Sequence, residues 1–300
     1  MSDTNNFGLK GMAYTVPILG RIAIGHIEER KGKRLPMKDD FISITTQTKR
    51  DGDWKPHPIE AALKKDMQGE KLRAIPVRIM FDDTSLTLRE RYEAFKDSRQ
   101  LCVGDGVRAK RRTSEGVVEC ECPGAESCEF GRSLRCKPFG RFIIQIEGQE
   151  DPFAGFIFRT RGTNSVRALR SRLEGLKSSL GRIAGLPMTL ILKEKATVMS
   201  MGTPFYYLDL VFREPGLAGV AEAIEARNAT EEALKTVNFQ REAYETAVAA
   251  GLSNSAFEET IEDAAEIEDL LLASPDLPED RDAGVLMSLS ALTTGLAQAA

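Results

Sequence analysis

Histidine is nearly missing from this chain: His26 and His57 are the only two in 300 residues. Neither lies in an HExxH or HxE context, so a histidine-based catalytic metal is not expected, and each reads as a surface or packing residue. No GxSxG elbow and no Cys–His pairing with a supporting signature occurs, and the sequence offers no catalytic residue. Long apolar runs are absent too; none approaches the ~20 residues that a membrane-spanning helix needs, so no membrane partner is expected. The opening "MSDTNNFGLKGM" has no basic region followed by an apolar one. No secretory leader and a cytoplasmic location are the corresponding expectations. Cysteine is scarce and odd in number, five, which in a reducing compartment speaks against a disulfide framework.

What is present is unevenly distributed. The net charge is −4, but residues 1–100 carry +4, residues 101–215 carry +5 and residues 216–300 carry −13. A mildly basic body is thus joined to a strongly acidic tail, an asymmetry that bears on partners; a tail that only aids solubility is the plainer alternative.

Apolar patterning places strands near 16–25, 41–47 and 74–81, a hairpin in "LCVGDGVRAKR" with "EGVVECE", and further strands over 137–148, 153–162, "LPMTLILKEKATV" and "TPFYYLDLVFRE". Residues 50–58 read as a turn, and "VGDG" as a hairpin turn rather than a phosphate loop. Short helices are expected over 59–67 and 86–97, with Asp82 and Asp83 as acids at the start of the second. Val166, Leu169, Leu173, Leu176, Leu180 and Ile183 step by three and four, which predicts one long amphipathic helix capped by Thr163 or Asn164 and stopped at Gly185.

After Pro215 the sequence turns rich in Ala and Glu. It suggests a long helix with a thin stripe (Val220, Ile224, Leu234, Val237, Tyr244, Val248) and a second acidic helix over 255–272. The expected fold is α+β: mixed, mostly antiparallel strands around one long helix, with a Cys-rich zinc-binding loop and a C-terminal helical extension. The expected divisions are a flexible N-terminus (1–15), a body (16–215) holding the loop at 118–142, an acidic helical extension (216–272) and a weakly structured tail (273–300).

Cys120, Cys122, Cys128 and Cys136 follow C-x-C-x5-C-x7-C. Two cysteines two apart on an extended segment point the same way, and the intervening turn-rich loops can return the other two. Four thiolates suit Zn²⁺ in a closed structural site, with Cys102 the substitute if one of the four is not a ligand. Arg132, Arg135, Lys137 and Arg141 would favour thiolates. Reduced cysteines used as small apolar residues are the alternative. A second cluster runs from Arg159 through Arg161, Arg167, Arg170, Arg172 and Lys177 to Arg182, against one acid, Glu174. Such a face could meet phosphates or an acidic protein surface, or be a solvated face paired with the acidic tail.

"PVRIMFDD", "RERYEAF", "CVGDGVRAKRR", "CPGAESCEF…CKPFGRF", "GFIFRTRGTNSVRALRSRL" and "TPFYYLDL" together resemble the recombination directionality factor-like family of phages and integrative elements. That family is related to the actinophage factor that acts with a large serine integrase. The resemblance spans residues 17–214 and leaves the acidic tail outside. It implies a non-enzymatic accessory protein that binds the integrase and redirects it from integration to excision by changing how the integrase's coiled-coil arms pair. Three readings follow: an integrase-binding regulator, whose C-terminal helices add contacts or dimerise; a single-stranded DNA-binding accessory using residues 159–182; and a zinc hydrolase, which the missing His/Glu constellation disfavours.

Overall fold

The computed structural model describes residues 16–30, 33–37, 39–196, 204–234 and 264–272. Among them are fourteen strands and six helices. The first stretch folds as β1 (Ile18–Ala23), β2 (His26–Arg30), β3 (Lys33–Met37), β4 (Ser43–Arg50), β5 (Asp53–Pro56), α1 (Pro58–Asp66) and β6 (Ala74–Arg78). Then come α2 (Thr84–Thr87), β7 (Leu88–Lys96), β8 (Arg99–Gly104), β9 (Arg108–Thr113), β10 (Gly116–Glu121), α3 (Glu129–Ser133), β11 (Lys137–Ile146) and β12 (Gly155–Thr160). The chain closes with α4 (Thr163–Leu180), β13 (Pro187–Lys195), β14 (Phe205–Val211), α5 (Gly216–Leu234) and α6 (Ala264–Leu272).

Twelve strands join in one sheet, nine of them in the order β10-β9-β8-β7-β11-β12-β1-β4-β5 with β6, β13 and β14 branching from it, while β2 and β3 form a separate ribbon. β11 is shared: Lys137–Phe142 pair with β7, and Gln145 and Ile146 pair with β6, which leads on to β13 and β14. β1 and β12 run parallel; the other pairings are antiparallel. The fold is therefore α+β and mostly antiparallel, as expected, but the strands do not surround a central helix. α4 lies against the sheet and buries one stripe, with Val166 buried at its start and Leu169, Leu173 and Leu176 in the main core with Ile75, Val77, Phe142, Phe158 and Leu190.

Local chemistry accounts for most boundaries. α1 starts at Pro58 because proline is preorganised for the first helical position, and His57 caps it by accepting from the Ile59 N–H at 3.2 Å. α4 is entered at Gly162 with no side-chain cap, not at Thr163 or Asn164, and it ends at Gly181 with φ 70°, four residues before the expected stop. In place of the expected turn over 50–58, Asp51 and Gly52 alone turn the chain, and β5 returns along β4.

One expected element is of the wrong kind. Residues 86–97, with two each of Leu, Arg and Glu, read as a helix, yet Leu88–Lys96 is a strand between β8 and β11. Ladders on both edges outweigh the few tenths of a kcal/mol per residue that helix propensity offers. Leu88 goes to the main core, while Phe95 packs beside Phe139 in a separate cluster. The helical stripe placed at Val237, Tyr244 and Val248 lies outside the described residues.

Gly20 on β1 marks a close approach of two strands. A Cβ there would sit 2.4 Å from the Thr45 carbonyl oxygen and 2.9 Å from Phe156. Gly20→Ala should cost about 1–3 kcal/mol through forced backbone displacement, read as a lower urea midpoint at unchanged slope.

His57 gives a pH handle. Burial holds its pKa below the ordinary 6.5, against a smaller upward pull from Glu150. A protonated ring could not accept the Ile59 N–H. The stabilisation is thus fully present above the ordinary imidazole value and is lost as pH falls through the lower folded value. Melting temperatures at pH 7.5 and 5 should differ less in His57→Asn, which keeps a capping acceptor without the titration, than in the wild type.

Candidate functional site

β8, β9 and β10 form a meander that fixes the thiols. Register sets Cys102 opposite Arg111, and Ala109 opposite both Gly104 and Cys120. Cys122 follows β10, held by its N–H to the Val107 carbonyl at 3.0 Å. Cys128 caps α3, and its Sγ accepts from the Gly131 N–H at 3.2 Å. The Cys136 N–H donates to the Gly131 carbonyl at 2.7 Å, which returns the chain beside Cys128.

The outcome is a cavity of about 10 Å³ lined by Cys102, Cys122, Cys128 and Cys136 together with Gly104, Arg111, Phe130 and Gly131. Cys120 belongs to the same apolar cluster but does not line the cavity. The two glycines make room for sulfur. A Cβ on Gly104 would lie 2.6 Å from Cys122 Sγ, and one on Gly131 would lie 3.1 Å from the Cβ atoms of Cys128 and Cys136. A cavity of this size holds about one water-sized sphere. Among the described residues no three His, Cys, Asp or Glu side chains already stand in a metal-ligating arrangement.

The thiols sense one another. Burial first, and then the neighbouring Cys102, Cys122 and Cys128, push the Cys136 pKa up to about 12. Burial also raises Cys102, partly offset by Arg111. A cluster that resists ionisation alone is the setting in which a bound cation inverts the balance and deprotonates its ligands. The cation near the sulfurs was missed in the sequence. Arg111 stands with Nη2 4.0 Å from Cys128 Sγ and its guanidinium carbon 3.9 Å from the centre of the Phe130 ring. Arg141, expected there, instead pairs with Glu93.

The basic residues of 159–182 are not gathered on one surface. Arg159 is buried on β12 and donates to Glu266 at 2.5 Å. Arg161, half-buried, donates to the Arg135 carbonyl at 2.9 Å. On and beyond α4 the side chains fan out: Arg170 pairs with Glu90 of β7, Arg172 with Asp209 of β14 at 3.4 Å, and Arg182 with Glu231 of α5 at 2.5 Å. Arg167 is exposed and Lys177 half-exposed. Asp82 and Asp83 are structural: Asp83 caps α2, while buried Asp82 accepts from the Ile183 and Ala184 N–H groups at 2.7 and 3.0 Å.

A second arginine set was not foreseen. On three adjacent strands Arg159 pairs directly with Arg141, and Arg141 with Arg89. Phe139 and Arg91 are the next pair on that face, and Phe139 packs beside Phe95. This is the face turned away from the main core, to which Phe142 and Phe158 point. Like charges directly opposite one another repel, and carboxylates offset the ladder. Glu93 takes both Arg141 nitrogens at 2.6 and 2.8 Å and a third bond from Gln100 at 2.6 Å. Glu266 of α6 bridges Arg159 and Arg21, whose Nε is 2.9 Å away.

Among the described residues no helix is long and apolar enough to cross a membrane. The family model described as Gp3-like, recombination directionality factor-like, matches residues 19–213. It covers well over half of the chain, which belongs to this family and so to the accessory proteins of phage recombination. No curated protein and no solved structure matches the chain.

Proposed function

We propose that the chain is a non-enzymatic, cytoplasmic directionality factor that binds a large serine integrase and switches it from integration to excision. The family match over 19–213 carries this reading. A binder can redirect an enzyme only by holding one of its arrangements more tightly than the other, so a firm docking surface is the requirement, not a reactive group. The dispersal of the basic residues on and just beyond α4, with Arg170, Arg172 and Arg182 each on a carboxylate of the fold, favours a protein partner over a phosphate track. A DNA-binding accessory would show affinity for labelled single strands that falls steeply with salt; the proposed factor should bind them weakly until the integrase is added.

We further propose that a structural Zn²⁺ braces residues 118–142. Cys122, Cys128 and Cys136 would hold it with one more thiolate, Cys102 or Cys120. Cys102, which lines the cavity, is favoured. Bound there, zinc would supply cross-linking between the β8–β10 meander and α3, and Arg111 would offset part of the negative charge of a four-thiolate centre. Metal content of Cys102→Ser and Cys120→Ser separates the two candidates: the variant that loses zinc identifies the fourth ligand.

A further inference from the structure

Among the described strands the large sheet has three ends, β5, β14 and β10. The first two are blunted. β5 has four residues and closes on Pro56, which has no N–H to offer. On β14 the Leu208 N–H donates to the Ser165 hydroxyl at 3.2 Å, and the Leu210 N–H to the Asp209 carboxylate at 2.8 Å. β10 has neither device.

The hydrogen-bonding phase of β10 follows from its end. The Cys122 N–H turns inward to the Val107 carbonyl. In an antiparallel pair every second residue bonds the neighbouring strand. Cys120, Val118 and Gly116 therefore bond toward β9, opposite Ala109, Arg111 and Thr113, and the backbone groups of Val117, Glu119 and Glu121 point outward. Every residue of β10 but Cys120 is exposed, Val117 at 53% and Val118 at 42%. A row of open N–H and C=O groups beside exposed valines is a template for one more strand.

Charge selects the occupant. Val117, Glu119 and Glu121 share one face. Lys110, opposite Glu119 on β9, stays 3.9 Å away, and among the described residues Glu121 is in no ion pair. A second copy of the chain fits badly. Glu115, Glu119 and Glu121 stand an even number of residues apart. Each two-fold antiparallel register centred on Val117, Val118, Glu119 or Cys120 thus sets two carboxylates opposite each other, and like charges so placed repel.

We propose that the free edge of β10 docks an extended segment of a partner protein that carries lysine or arginine at alternate positions, opposite Glu119 and Glu121. Main-chain bonds to Val117, Glu119 and Glu121 hold the segment, and the charge pairs set its register. The inference rests on the protein-docking reading above and adds the surface and the conformation and charge of what docks there.

The test uses the full chain and a labelled short peptide of alternating valine and lysine, followed by fluorescence anisotropy. Wild type should bind it about 5-fold more tightly than a peptide of the same composition with its lysines grouped, which meets the acidic tail equally well but cannot match alternate positions. Glu119→Pro removes one outward N–H and leaves the β9 ladder intact, so binding of the alternating peptide should fall about 10-fold. Glu119→Lys keeps that N–H and should erase the preference for the alternating peptide.

The proposal is overturned if wild type binds neither peptide or both equally. It is overturned if Glu119→Pro, folded by circular dichroism, binds as well as wild type. Should that variant unfold, Glu119→Lys decides, and an undiminished preference sinks the proposal. Wild-type dimers by light scattering that either variant dissolves would assign the edge to a second copy instead. The peptide assay contains no integrase, so it can fail while integrase binding stands, and the reverse.

Discussion

If the proposed zinc is bound, Cys128→Ser and Cys136→Ser should each abolish its binding, and should lower the melting temperature by on the order of 10 °C. The magnitude follows from what the metal would hold. Residues 122–136 contribute three thiols from loops whose apolar contacts are few: Phe130 and Leu134 are only partly buried. Binding energy of a structural zinc is folding energy for such a segment. A loss of only ~3 kcal/mol of it shifts the midpoint of a domain this size by about 6–12 °C. Chelation should reproduce the effect on the wild type and add nothing to either variant. Unchanged metal content and unchanged melting would reduce the cluster to packing.

The second large effect is expected at Glu93 and Arg141, whose side chains are 0% and 3% exposed. Removing one member of a buried, doubly hydrogen-bonded pair strands the other charge and costs about 3–5 kcal/mol. The two single losses should be unequal. After Arg141→Met, Glu93 still accepts from Gln100, and two arginines of the ladder are separated by an apolar side chain. After Glu93→Leu, Arg141 stays between Arg159 and Arg89 without its carboxylate, so this variant should be the less stable. The double variant should unfold at a higher urea concentration than the sum of the two losses implies, because neither charge is left behind. Additive losses would mean that the pair is not coupled.

These features were legible to different depths. The α4 stripe could be read because five apolar residues, Val166 to Leu180, keep a helical step; the sixth, Ile183, lies past the helix end at Gly181. The Cys-rich loop could be located from its crowding of thiols. β7 could not be read: "LRERYEAFK" has good helix formers, and only the neighbouring strands decide against them. The arginine ladder was invisible for a related reason. Arg89, Arg141 and Arg159 are scattered along the chain, and it is register, set by pairings far apart in sequence, that puts them opposite each other. Arg111 lies on β9, outside the loop, and strand register alone brings it beside the sulfurs. The role of the acidic extension was half legible: its charge pointed to a basic target, and Glu266 and Glu231 do meet Arg159 and Arg182 at the two ends of the basic segment, but Glu266 also meets Arg21 and Asp269 meets Lys49 and Trp54 on strands far from it in sequence.

The most direct test reconstitutes recombination with the purified integrase of the element and a substrate carrying the excision sites, with and without this chain. The account expects a stable complex of chain and integrase in the absence of DNA, and excision only when the chain is present. No complex, an unaltered direction of reaction, and salt-sensitive binding to DNA by the chain alone would contradict it.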